Sequence, residues 1–441
     1  MSLDALRGIA ALAVAFGHWR SAFFLALTQV HVRHGVPLVA AYALTSLGHQ
    51  AVIVFLVLSG YLVGGSVVRA LRAARWSWSQ YLTHRLVRLW IVLLPALALG
   101  FGWDWLGIHY LRAPLLYAGI GGNNITPDVL ATSKPPVLLG NAVFLQTIVE
   151  PPFGSNVALW SLANEWWYYV LFPLGACLFL SRYRRALPLI ASVALLVVLA
   201  FMLRGNILLL FPAWLCGALL HFLPGPRRAL SAPRLTVVAL VYLTILCGFA
   251  FLRHQELPIP HFAELCDNLL AIVTMVFVWL LLADQRAATD SVGTHLARGT
   301  ARFSYTLYLT HLPLLVFCAG LLLHDQRWDP SPVHWLAAGA VLCLVIAYAW
   351  LVANFTEFNT DAVRTLIQVH LVRLFRVPAI ETLAHGRRGF PCTASGVHQP
   401  RTRYARASTL VMSMTSCERR NGEGRLPAHR TPAATHVSGR L

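Results

Sequence analysis

Long apolar runs separated by short polar stretches dominate the chain. A helix crossing a hydrocarbon layer of about 30 Å needs about 20 apolar residues, at about 1.5 Å of rise each. By that measure the sequence predicts ten spans, at roughly 3–22, 45–68, 86–103, 157–181, 186–203, 206–223, 235–252, 267–283, 303–324 and 333–354. Residues 136–149 (PVLLGNAVFLQTIV) are apolar but too short, and predict an interfacial or re-entrant piece inside a long loop. The expected fold class is an all-α integral membrane protein, a bundle of about ten transmembrane helices.

Composition agrees with a lipid solvent. Hydrophobic residues make up 57% of the 441 positions and charged residues only 12%, against about 25% charged in an ordinary soluble domain. The first apolar stretch lacks a basic lead and a small-residue cleavage site, so it predicts a retained span rather than a cleaved signal. The net charge of +18 comes from 35 basic and 17 acidic residues, and Lys134 is the only lysine. The arginines follow the even-numbered predicted spans: Arg69, Arg72, Arg75, Arg85 and Arg88; then Arg182, Arg184 and Arg185; then Arg227, Arg228 and Arg234; then Arg286, Arg298 and Arg302. This alternation is the positive-inside bias and needs no nucleic acid to explain it. It predicts a multi-pass protein of the inner (plasma) membrane with both termini cytoplasmic, and counting 136–149 as a full span would invert every later loop.

The expected domains are a transmembrane unit, 1–357, and a basic cytoplasmic tail, 358–441. The tail is rich in Arg, Ser, Thr, Gly and Pro, has no apolar period beyond about Arg376 and is expected to be disordered. The eight cysteines are scattered with no C-x-x-C, so neither a metal site nor a disulfide framework is expected. No internal repeat is visible.

Ionisable residues inside spans are costly and by default line cavities or sites. In LDALRGIAALAVAFGH, Arg7 and His18 are eleven residues apart. That is about 1100°, roughly 20° from three turns, so both face one side about 16 Å apart along the axis. Asp4 can pair with Arg7. Arg85 and Arg88 share a helical face, and two guanidiniums there suit phosphate groups; ordinary positive-inside charge is the alternative. Glu165, in WSLANEWWYYVLFP, lies about 12 Å into the fourth span, at a depth comparable to His18, which suggests an acid/base pair. The aromatic residues beside it, from Trp160 to Tyr169, form an interfacial belt or stack on sugar rings. Ser59 and Gly60 lie toward the inner end of the second span, and Tyr305, Tyr308 and His311 in the inner half of the ninth. His311, two residues before Pro313, is either a site residue or the partner of a carbonyl freed by the proline.

Together and in this order, these segments resemble the acyltransferase-3 family of membrane O-acyltransferases. The resemblance rests on Leu3, Asp4, Leu6, Arg7, Gly8 and His18; on Phe55, Leu58, Ser59 and Gly60; on Arg85 and Arg88; on Trp160, Ser161, Leu162 and Glu165; and on Ser304, Tyr305, Tyr308, Leu309 and His311. It covers about residues 2–357. It implies an acyl-CoA donor, most commonly acetyl-CoA, and a sugar-containing acceptor outside the cytoplasm, a polysaccharide or glycolipid of the cell envelope.

On this reading Arg85, Arg88, Ser59, Tyr305 and His311 bind the donor, with Arg7 beside them. His18 is the general base on the acceptor hydroxyl with Glu165 orienting it, or else carries the acyl group as an acyl-histidine. The alternative is a membrane transporter in which the same groups form an anion or proton path.

Overall fold

The computed structural model describes residues 3–374 apart from 33–34, 121–125, 180–185, 204, 226–229, 254, 256, 284–297 and 324. The loop arginines Arg182, Arg184, Arg185, Arg227, Arg228 and Arg286, and the tail beyond residue 374, lie outside the described residues.

The described chain is helical from end to end. In order come α1 (Leu3–Phe23), α2 (Val36–Thr45), α3 (Gly48–Ser59), a π-helical turn (Gly60–Gly64), α4 (Gly65–Arg72) and the long α5 (Trp78–Tyr110). Three short helices follow, α6 (Pro114–Tyr117), α7 (Val129–Thr132) and α8 (Pro135–Ala142). Then come α9 (Trp160–Phe179), α10 (Ala186–Met202), α11 (Asn206–Leu219), α12 (Ala232–Arg253), α13 (Phe262–Leu282), α14 (Ser304–Leu323), α15 (Pro332–Phe355) and α16 (Thr360–Leu374). Each predicted span coincides with a helix. The segment 136–149 instead holds the eight-residue α8 and a turn in which Phe144 and Thr147 adopt positive φ. Residues 360–374, assigned from the sequence to the tail, are helical.

Among the described residues, six helical stretches are long and apolar enough to cross a membrane: Val36–Arg72, Trp78–Tyr110, Ala232–Arg253, Phe262–Leu282, Ser304–Leu323 and Pro332–Ile367. Helices α1 and α9 fall outside this group although they have 21 and 20 residues. They carry the polar side chains: Asp4, Arg7, His18 and Arg20 in α1, and Ser161, Asn164 and Glu165 in α9. Large apolar residues cover the outside of the bundle; Phe251, Leu336 and Phe355 are each more than 70% exposed. Such a surface is stable only against lipid.

Local signals set the helix ends. Ser77 caps α5 by accepting from the Gln80 amide, and Ser331 caps α15 by accepting from the His334 amide at 3.2 Å, with Pro332 at the first helical position. At the centre, α1 packs against α3 and α14, and α14 also against α5 and α15. α1 presents buried small residues there, Gly8, Ala10, Ala11, Ala15 and Ala22, which let backbones approach closely.

Beyond α1 the chain is clasped to the loop before α15. The backbone N–H and Nδ1 of His31 both donate to Asp329, at 2.9 and 2.8 Å. These bonds hold the Asp329 carboxyl below its ordinary range.

Candidate active site

Helices α1 and α14 run parallel and are in register at two points. Near the start of α1, Arg7 Nη2 donates to the Ala301 carbonyl at 2.8 Å. Farther on, the His18 and His311 rings lie 5.2 Å apart, centroid to centroid. From Arg7 to His18 is about 16 Å of helix, so the two contacts lie well apart along the α1–α14 face. The shared face read from the Arg7–His18 spacing is therefore the face that meets α14. The end of the bundle at Arg7 is called the arginine end below, and the opposite end the far end.

A cavity of about 200 Å³ opens among α1, α3, α5, α9 and α14 toward the arginine end. Its polar lining is Arg7, Ser59, Arg85, Arg88, Ser161, Glu165, Tyr169, Ser304, Tyr305 and Tyr308, and its apolar walls include Phe55, Leu58 and Leu62. The carboxylate of Glu165 accepts hydrogen bonds from Ser59 Oγ at 2.9 Å and from the Tyr169 hydroxyl. Trp214 Nε1 reaches the same Ser59 Oγ at 3.2 Å. The Arg85 guanidinium lies 5.4 Å from the ring centroids of both Tyr81 and Tyr169 and donates to Ser66 Oγ at 3.2 Å. Its Nε is buried without a hydrogen-bond partner among the described residues. Arg88 is ion-paired with Glu357 at 2.8 Å and sits 5.7 Å over the Tyr305 ring.

A second cavity, about 300 Å³, opens at the far end and holds His18, with Arg20, Ser21, Ser46, His49, Ala158 and Trp160 around it. Val52 and Tyr308 line both cavities, so the two meet at that layer. The Tyr308 hydroxyl donates to the Ala158 carbonyl at 3.0 Å and lies 2.6 Å from Ser161 Oγ. His311 donates from Nδ1 to the Leu307 carbonyl at 2.8 Å. Its Nε2 is buried with no hydrogen-bond partner among the described residues.

The acyltransferase-3 family, described as an acyltransferase domain, matches residues 2–352. The chain belongs to that family. It is therefore a multi-pass membrane acyltransferase. No curated protein and no solved structure matches the chain.

In this acyltransferase-3 chain the structure brings six of the eight expected residues, Arg7, Ser59, Arg85, Arg88, Glu165 and Tyr305, around one cavity. The expected His18–Glu165 pair is not formed. Glu165 borders the arginine-end cavity and His18 the far-end one, and the ring beside His18 is His311. The two side chains line different cavities, and the way α9 enters the bundle accounts for it. The loop leading into α9 is buried, and Asn156 Nδ2 donates to the Leu309 carbonyl, in the second turn of α14, at 2.8 Å. Glu165, five residues beyond Trp160, is carried about 7.5 Å deeper still. The same bond answers the question about His311: Pro313 frees the Leu309 carbonyl, and Asn156, not His311, takes it.

Two residues were not assigned their role from the sequence, Tyr169 having been read with the aromatic belt or sugar-stacking residues. Tyr169 is four residues after Glu165, a spacing that places both on one helix face and was legible. Glu357, 6% exposed, accepts from Arg88 and from the Thr306 amide and hydroxyl, both at 2.9 Å. Its only signal was an acidic residue directly after the last predicted span. Glu357 offsets the charge of Arg88, whereas the described residues give the Arg85 guanidinium no carboxylate partner.

Proposed function

We propose that this acyltransferase moves an acetyl group from cytoplasmic acetyl-CoA to a hydroxyl of a glycan or glycolipid outside the cytoplasm. The observation that carries the reading is the meeting of two unlike cavities at Val52 and Tyr308. The arginine-end cavity has guanidiniums at its mouth and apolar walls within, which suits phosphates followed by a pantetheine arm and a thioester. The far-end cavity presents an imidazole in an aromatic and hydroxylated surround, which suits a sugar hydroxyl. The arginine bias of the loops supports a cytoplasmic position for the first cavity.

His18 takes the proton of the acceptor hydroxyl as its oxygen attacks the thioester carbonyl carbon. The C–S bond then breaks, and the proton passes from the imidazolium to the departing thiolate. His311, its Nδ1 held by Leu307, packs its ring against His18 and supports it from α14. Glu165 holds Ser59 and Tyr169 in place along the donor path.

The test is purified protein in liposomes, supplied with radiolabelled acetyl-CoA and the glycan fraction of the source membranes. Alkali-labile label on the glycan, with one CoA thiol released per ester formed, is the expected result. Turnover of longer acyl-CoA but not of acetyl-CoA would remove acetyl from the reading. Label on a small amine instead of a glycan would remove the acceptor.

Arg85→Ala is expected to raise the KM for acetyl-CoA about tenfold, the equivalent of one charge-assisted hydrogen bond, with the rate recovered at saturating donor. Arg85→Lys should rescue it only in part, because an ammonium does not stack between Tyr81 and Tyr169 as a planar guanidinium does. A change in acceptor KM with donor KM unmoved would reverse the orientation of the site.

A further inference from the structure

The far-end cavity does not stop at the residues around His18. Two of its wall residues, His49 and Trp160, also line a second hollow of about 240 Å³, completed by Leu210, Arg253, Glu264 and Asp267. The hollow is assembled from the beginnings of α3, α9 and α13, the end of α12 and one residue of α11. None of its chemistry is used by the reaction described above.

The cluster is built rather than incidental. Asp267 is 2% exposed, and its carboxylate receives His49 Nε2 at 2.9 Å and Arg253 Nε at 3.3 Å. The His49 and Trp160 rings stack nearly parallel, 12° apart in orientation and 6.0 Å between centroids. Glu264 is less committed: its carboxylate approaches His261 at 3.9 Å, and its side chain is 23% exposed. The lining thus offers an aromatic plate and a leucine on the apolar side, and a carboxylate, a guanidinium and an imidazole on the polar side.

The balance of charge narrows the ligand. An inorganic anion would find the charges of Arg253 and His49 already offset by the Asp267 carboxylate and would face Glu264. A cation would face Arg253. A lipid chain would offer nothing to the remaining donors of Arg253 or to the Glu264 carboxylate. A neutral polyhydroxylated ring satisfies all of them: its C–H face lies on the indole, and its hydroxyls donate to Glu264 and accept from Arg253.

We infer that the hollow lined by His49, Trp160, Leu210, Arg253, Glu264 and Asp267 is an acceptor subsite, holding the sugar unit that adjoins the one acylated at His18. The shared His49–Trp160 wall is where the two units join. The inference rests on the O-acylation reading above and specifies how that acceptor is held.

The experiment uses the full chain in liposomes with labelled acetyl-CoA and the same glycan fraction. Acceptor KM, donor KM and acetyl-CoA hydrolysis without acceptor are measured for wild type, Glu264→Gln and Arg253→Lys. Glu264→Gln removes a charged acceptor without touching Asp267, and Arg253→Lys keeps the positive charge beside that buried carboxylate. Each is expected to raise the acceptor KM about tenfold, as for a lost charge-assisted hydrogen bond. Donor KM and acceptor-free hydrolysis stay within twofold. If wild type labels the glycan but both variants keep the wild-type acceptor KM, the subsite is wrong and the reaction stands. If donor KM and hydrolysis shift together with acceptor KM, the cluster only supports the fold and the subsite is likewise overturned. If wild type labels no glycan, the O-acylation reading falls, and the subsite with it.

Discussion

His18→Gln is expected to lower acyl transfer by ~10²–10⁴-fold, the usual contribution of a general base, with membrane insertion and yield near wild type. The substitution keeps a polar side chain of similar reach but removes the basic nitrogen. His18 lines the far-end cavity and packs its ring against His311, with no hydrogen bond to it among the described residues. Its loss therefore leaves no buried partner unpaired, and the effect should fall on chemistry rather than folding. The readout is transfer of labelled acetyl to the glycan, with the solubilised protein checked by gel filtration. Transfer within threefold of wild type would exclude His18 as the base. Rapid quenching with acid and mass spectrometry of the peptide containing His18 separates the two routes. An acylated imidazole that forms with donor alone would make His18 a covalent carrier instead of a base.

The second large effect is on folding. Gly60 and Gly217 face each other across the contact of the π turn with α11. A Cβ on Gly60 would overlap the Trp214 carbonyl oxygen, and one on Gly217 would overlap the Val57 carbonyl oxygen. Backbone atoms cannot rotate away as a side-chain tip can, so the helices must separate. Overpacking typically costs about 1–3 kcal/mol, and a double backbone clash belongs at or above the top of that range. Separation would also draw Trp214 from Ser59 Oγ, where it sits at 3.2 Å, and loosen the hydroxyl that binds Glu165. Gly60→Ala with Gly217→Ala is therefore expected to abolish the monodisperse folded peak in detergent. Gly102→Ala is the control, since nothing lies within 4 Å of its added methyl. A double variant as heat-stable as the control would mean that this crossing is looser than its geometry implies.

The bundle was largely legible in the sequence because lipid imposes a one-dimensional rule. Each span must be apolar for about 20 residues, and each flanking arginine must choose a side. The same rule correctly rejected residues 136–149 as a span, since α8 is only eight residues long. It also made Arg7, His18, Ser59, Glu165 and His311 conspicuous, because polar groups at membrane depth demand a reason. Pairing was a different matter. Glu165 and His18 looked like partners when depth was counted along single helices, yet they line different cavities.

What the sequence by itself determined was which residues are polar inside an apolar bundle, and on which face of their own helix they lie. Helix geometry transmits that information along a single element: Arg7 and His18 share a face, as do Glu165 and Tyr169. Only the tertiary structure decided which faces meet and at what height. The stagger of α1 against α14 joins His18 to His311. The buried loop held by Asn156 sinks the start of α9 and carries Glu165 to Ser59. Glu357, beyond the last span, returns to neutralise Arg88. The physical reason is that axial offset between helices depends on loop burial, proline-freed carbonyls and side-chain packing across elements distant in sequence, and no periodicity within one helix encodes it.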